Sequence, residues 1–226
     1  GSRSDLMIEA SELDLSQIRR CKVFNYTPLS FEFDYPIAKA AELALAEAHS
    51  AGVMTAFDSN YRFPYEDMKV YHAVQDAIYS AQILKLSQDD IRYFMKEENV
   101  FSACEKLLAG NAKIVAFTMG TSGSLLYTHK GWSYRPAYRV NALDTTGAGD
   151  SFMGALIYLL THETDNIEEL SVLDLERIGD FCNACAAAST MKRGSLLAMP
   201  ALSQIEHVLK TAPRIETQFD KIHKTF

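Results

Sequence analysis

The 226 residues suit one domain of ordinary size, and a hydrophobic content of 48% is enough to fill a core. A formal charge of −7 argues against general affinity for nucleic acid. No apolar run reaches the ~18 residues of a membrane span, and the opening residues carry no signal-peptide pattern.

The elements alternate along the chain. Cys21–Tyr26 reads as a short buried strand, followed by an alanine-rich helix over Tyr35–Ser50 with Gly52 as its stop. Val53–Phe57 is the next strand and ends on Asp58; Glu66–Ala81 is a helix and Gln82–Leu86 a strand. Ser87 opens a helix whose first turn, Gln88-Asp89-Asp90, is acidic as the helix dipole favours. Phe101–Leu108 is helical, Lys113–Thr118 is a strand closed by a glycine turn, and Leu125–His129 with Trp132–Tyr138 forms a hairpin about Lys130-Gly131. Three helices complete the order: one starting near Asp150, one over Leu173–Met191, and one over Ser203–Lys210 within a C-terminal helix and tail, residues 201–226. Alternation of this kind predicts a single α/β domain over 1–226 with a mostly parallel sheet covered on both faces. Residues 1–4 read as a tag remnant.

The four cysteines show no disulfide framework, which points to a reducing, cytoplasmic setting. Cys182 and Cys185 form a C-x-x-C, but inside a helical stretch and with no second pair, so they read as small buried helix residues.

The densest chemistry lies in Asp144-Thr-Thr-Gly-Ala-Gly-Asp-Ser-Phe-Met-Gly154. Gly147, Ala148 and Gly149 carry little or no side chain, so their N–H groups can converge at the positive end of the following helix and form an anion hole. Asp150 beside such a hole has the position of a general base toward a hydroxyl that attacks phosphorus. Other polar residues recur at strand ends, where α/β sheets bind ligands: Asp58-Ser-Asn60-Tyr-Arg62, Lys85-Leu-Ser87, and Thr118-Met-Gly120.

The 144–157 stretch resembles the second signature of the ribokinase-like sugar kinases, the PfkB family, and fits it at every constrained position. Asp58-x-Asn60-Tyr61-Arg62 is similar to the D-x-N-x-R segment of fructokinases and 2-keto-3-deoxygluconate kinases, although the Leu-Trp that follows in many fructokinases is absent. The resemblance implies that Asn60 and Arg62 steady phosphate or substrate; a plain strand-end turn with a solvated arginine is the other reading. Lys85-x-Ser87-x-x-Asp90 stands where the family has N-x-x-E or S-x-x-E, an element of the magnesium–phosphate network that works through water. The acid here is one methylene shorter, and a serine N-cap over an acidic first turn fits the same residues.

Thr118-x-Gly120-x-x-Gly123 is similar to the family's T-x-G-x-x-G nucleotide turn, and Asn183 falls where members carry an asparagine beside the adenine pocket; a bond to neighbouring backbone would also explain that asparagine. Ser189 and Gly194, with Asp144 and Thr146, resemble the family's monovalent-cation loop. The implied fold is a ribokinase-like three-layer α/β/α sandwich, with the N-terminal strands, the Gly-Gly substrate motif and the β lid missing, as in a truncated or degenerate chain. The implied activity is transfer of the γ-phosphoryl of ATP, with Mg2+ and K+ as candidate ions, to a sugar hydroxyl. The acceptor is most like that of a fructokinase, and a 2-keto-3-deoxygluconate kinase or a non-catalytic nucleotide-binding regulatory relative stands as the alternative. Membrane and nucleic acid are not expected partners, and a full-length member would pair as a homodimer through its lid.

Overall fold

A computed structural model describes residues 4–60, 67–164 and 166–217. The chain forms two compact units, Gly1–Val115 and Ala116–Phe226.

In the first unit a short helix, α1 (Leu15–Arg20), precedes strand β1 (Val23–Tyr26). Asp14 caps α1 by accepting the N–H of Ser16 at 3.0 Å. Helix α2 (Pro36–Ser50) starts on a proline at its first position, which suits a residue without an N–H, and buries Ala40, Ala44 and Ala48 on one face. Strand β2 (Met54–Asp58), helix α3 (Met68–Ser80) and strand β3 (Ile83–Ser87) follow. A one-turn helix, α4 (Gln88–Asp90), then runs into a π turn, Ile91–Met95, before helix α5 (Val100–Leu108), which Asn99 caps through the N–H groups of Phe101 and Ser102. Strand β4 (Ile114–Thr118) begins here, with the N–H groups of Lys113 and Ile114 both donating to the Gln82 carbonyl. The strand order is β1-β2-β3-β4, and β1 to β3 are parallel. Phe57, Ile83, Leu84 and Ile78 are fully buried, and β2 and β3 also bury Thr55 and Lys85 within this apolar setting.

The second unit takes the end of β4 into strands β5 (Ser124–Thr128) and β6 (Gly131–Arg135), an antiparallel hairpin turning at Lys130-Gly131 as the sequence predicts. Helices α6 (Ala148–His162), α7 (Val172–Thr190) and α8 (Leu202–Thr211) pack in series, α6 on α7 and α7 on α8. Ser171 caps α7 in a reciprocal box with Asp174. Cys182 and Cys185 lie buried in α7, as their helical setting predicts, and burial raises both thiol pKa values, Cys185 to about 11. Among the described residues no helix is long and apolar enough to cross a membrane.

Candidate active site

The first turn of α6 decides the chemistry. Gly147 is its N-cap, with φ +82, and a Cβ there would lie 3.1 Å from Cβ of Ser195. Only glycine meets both demands, so this residue closes the turn and lets the 191–199 loop pack against it. The Ala148 N–H donates to the Thr145 carbonyl at 3.2 Å, and Ser151 N–H to the Gly147 carbonyl at 2.8 Å. Helix geometry leaves the N–H groups of Gly149 and Asp150 without an intrahelical acceptor, at the end where the dipole favours an anion. Of the three residues expected to form an anion hole, Ala148 is therefore partly engaged, and Gly149 with Asp150 carries the donor face. The Asp150 side chain is exposed in that same turn.

Asp144 fixes the approach to this helix. One carboxylate oxygen accepts the Thr146 N–H at 2.9 Å and the other the Gly194 N–H at 3.0 Å. Those backbone donors, Gly194 first, hold the carboxyl down at about 2. The structure thus brings Asp144, Thr146 and Gly194 together, but as an acceptor meeting donors. The Ser189 hydroxyl donates instead to the Ala186 carbonyl at 2.8 Å within α7. A cation needs oxygen lone pairs facing it. The Asp144 and Ser189 side chains are engaged within the protein, and no step is routed through a monovalent ion.

A cavity of about 330 Å³ opens beside the helix start, lined among others by Thr118, Gly120, Gly123, Thr145, Ala148, Gly149, Tyr138, Phe152, Asn183, Ala186 and Ala187. The residues of the predicted nucleotide turn and the α6 start therefore share one pocket. Gly120 (φ +55) has open space where a Cβ would sit. Gly123 (φ +95) does not: a Cβ there would fall 2.1 Å from the Arg135 carbonyl oxygen, so its glycine serves packing against the exit of β6. Asn183 donates to the Arg135 carbonyl at 2.9 Å while lining the cavity; the backbone bond that the sequence left open is present, and the side chain still forms part of the wall. Sequence reasoning missed Tyr138, Phe152, Ala186 and Ala187. The last two follow Asn183 at helical spacing, and that periodicity is the signal that could have found them.

The first unit holds the remaining candidates. Lys85 is buried and its Nζ sits 2.7 Å from Oδ1 of Asp58, also buried. Asp58 further accepts the N–H of Asn60 at 3.2 Å, an Asx turn in which Asn60 adopts φ +36. Ser87 and Asp90 form a capping box: the Ser87 hydroxyl and N–H both donate to Oδ2 of Asp90 at 2.6 Å. The capping alternative is thus realised, with Asp90 buried and folded onto its own cap. Among the described residues no group of three or more His, Cys, Asp or Glu could hold a metal ion. Arg62 lies outside the described residues.

Residues 11–202 match the pfkB family carbohydrate kinase model. The chain belongs to that family. It is 30% identical over 213 residues to fructokinase-2 of Solanum lycopersicum, covering 92% of this chain and 63% of the relative, and 29% identical over 218 residues to fructokinase-2 of Zea mays, covering 92% and 62%. The chain thus spans less than two thirds of these pfkB relatives. In structure it is similar to fructokinase with bound ATP from Xylella fastidiosa, with a TM-score of 0.76 at 21% identity over 91% of this chain and 66% of that one. It is also similar to aminoimidazole riboside kinase from Salmonella enterica complexed with aminoimidazole riboside and an ATP analogue, with a TM-score of 0.75 at 25% identity over 92% and 68%. The fold is the ribokinase-like α/β fold that the sequence implies.

Proposed function

We propose that this chain carries the nucleotide pocket and catalytic base of an ATP-dependent carbohydrate kinase whose acceptor is a fructose-like sugar. The observation that carries this is the junction of an apolar cavity with the α6 first turn, where Gly149 lines the cavity and Asp150 follows it. Apolar walls from Phe152, Ala186 and Ala187 suit a planar base, and Gly120 lets backbone approach a polyphosphate. The triphosphate then ends at the helix N-terminus, where the Gly149 and Asp150 N–H groups stabilise charge on the transferred group.

In the step itself the acceptor hydroxyl oxygen bonds to the γ-phosphorus, the bond from that phosphorus to the β–γ bridging oxygen breaks, and ADP leaves. Asp150 takes the hydroxyl proton. Magnesium, which keeps its waters and binds mainly through phosphate oxygens, supplies charge neutralisation when bound. Among the described residues no carboxylate cluster offers it a cage, so it would enter with the nucleotide. The fructose-like assignment is supported by the named fructokinase relatives and by the Asp58-x-Asn60-x-Arg62 segment.

The test is sugar-dependent ADP release across fructose, ribose, 2-keto-3-deoxygluconate and adenosine. Fructose should give the response, and Asp150→Asn should lower turnover by about 10²- to 10⁴-fold while ATP binding persists. Near wild-type turnover in that variant would remove Asp150 from the mechanism. ATP binding with no sugar-dependent release would replace the kinase with a nucleotide-binding regulatory relative.

A further inference from the structure

Beyond α8 the chain returns to the pocket. Segment 213–215 runs antiparallel to 137–139: the Arg139 N–H donates to the Pro213 carbonyl and the Ile215 N–H to the Ala137 carbonyl, each at 2.8 Å. Arg214 anchors this strap three ways. Its guanidinium lies 3.8 Å from the centroid of the Tyr138 ring, one nitrogen donates to the Pro136 carbonyl at 3.0 Å, and the other sits 2.8 Å from Asp180 Oδ1. Asp180 is one turn before Asn183 on α7 and also grips Arg135 in two places, at 2.5 and 2.7 Å. Two residues on, Thr217 meets the Tyr134 hydroxyl at 2.6 Å. Ile215 lines the cavity with Ala137 and Tyr138. The strap itself lies past residue 202, where the family match ends, while the residues it meets lie within that match.

We propose that the strap 213–217 is a wall of the nucleotide pocket that sets which bases fit, with Ile215 as the contact residue and Arg214 as the positioning residue. The proposal rests on the nucleotide reading above. Ala137 and Tyr138 line the cavity, and the strap bonds to the backbone of Ala137 and Arg139 while adding the Ile215 side chain to the same lining. A base held against Phe152, Ala186 and Ala187 would meet Ile215 at its edge, so a larger edge substituent is excluded there. Arg214 touches no base; it holds the strap in register through Tyr138, Pro136 and Asp180, and its loss lets Ile215 withdraw.

Calorimetry with ATP and with N6-benzyl-ATP tests this without relying on turnover. Wild-type protein should bind ATP and refuse the enlarged analogue. Ile215→Ala should admit the analogue and shift the ATP-to-analogue ratio by at least about tenfold, the scale at which an apolar pocket senses a methylene or two. Arg214→Ala should relax the same ratio in the same direction, a change that general loosening of the fold would not select. Ile215→Trp should fill the cavity and weaken ATP binding by about tenfold or more. If wild-type protein binds ATP and all three variants keep its affinity and ratio, the strap is not a wall and the nucleotide reading stands alone. If wild-type protein binds no ATP, both fall.

Discussion

Lys85 is the residue whose role the structure changes most, and it can be tested sharply. Its ammonium lies 2.7 Å from Asp58, with 8% and 3% of the two side chains exposed. At that separation and an effective dielectric constant of about 20, the attraction is of order 6 kcal/mol, and it offsets the cost of removing both charges from water. Lys85→Met keeps the volume and removes the charge, leaving the Asp58 carboxylate buried without its ammonium. Breaking a buried pair from one side costs about 3–5 kcal/mol. Asp58 keeps the Asn60 N–H as a donor, which favours the lower end, about 3 kcal/mol. For a chain of this length that is a fall in Tm of roughly 6–12 °C. The double variant Lys85→Met/Asp58→Asn removes both charges and should return to within about 1 kcal/mol of wild type. Thermal and urea unfolding followed by circular dichroism measure both, and an ATP titration of Lys85→Met completes the set. A loss below about 1 kcal/mol, joined to a tenfold fall in ATP affinity, would restore the sequence-based role and refute the structural one.

Three further outcomes are expected. Gly123→Ala should destabilise by more than about 3 kcal/mol, since its Cβ would overlap the Arg135 carbonyl, whereas Gly120→Ala should cost only the roughly 1–2 kcal/mol of a left-handed residue in open space; equal losses in urea unfolding would contradict this. Burial pushes Cys104 up to about 12 and Cys185 up to about 11, and raises Cys182 as well, so none of the three holds an appreciable thiolate at pH 8. Iodoacetamide should label them only after unfolding, and labelling of native Cys182 and Cys185, read by mass spectrometry, would mean that the C-x-x-C is reactive. For Asp144, a carboxyl depressed to about 2 makes the tie to Gly194 a contribution present above the ordinary carboxylate value of about 4 and lost as pH falls through 2. A carboxyl carbon titration by NMR should show a midpoint near 2, and one near 4 would mean that the tie is absent.

What was legible in the sequence follows from range. Local periodicity and turn residues found α2, α3, α5 and the β5–β6 hairpin to within a few residues, because alanine spacing, the Gly52 stop and Lys130-Gly131 act over one turn. Helix α1 escaped because six residues show too little periodicity, and only Asp14 announces it. Lys85 and Asp58 are 27 residues apart, and Arg214 meets Pro136 across 78, so no local spacing could pair them. Glycine was ambiguous in the same way. Gly120 and Gly123 look alike in sequence, but one faces open space and the other the backbone leaving β6.

The polar residues singled out in the sequence also divide by what the fold already does with them. Lys85, Ser87, Asp90, Asp144 and Ser189 each have a bonding partner within the protein, and each partner is at normal hydrogen-bond distance. Such groups are costly to detach, because a ligand would have to replace bonds formed out of bulk water. Asp150 differs. It stands exposed in the first turn of α6, beside backbone donors that helix geometry cannot satisfy, and follows Gly149 of the cavity lining. On the proposed reading that exposed carboxylate is the group that meets the incoming hydroxyl. The proposed chemistry thus concentrates in the four residues from Gly147 to Asp150, and Asp144 holds the entry to that turn through the Thr146 N–H.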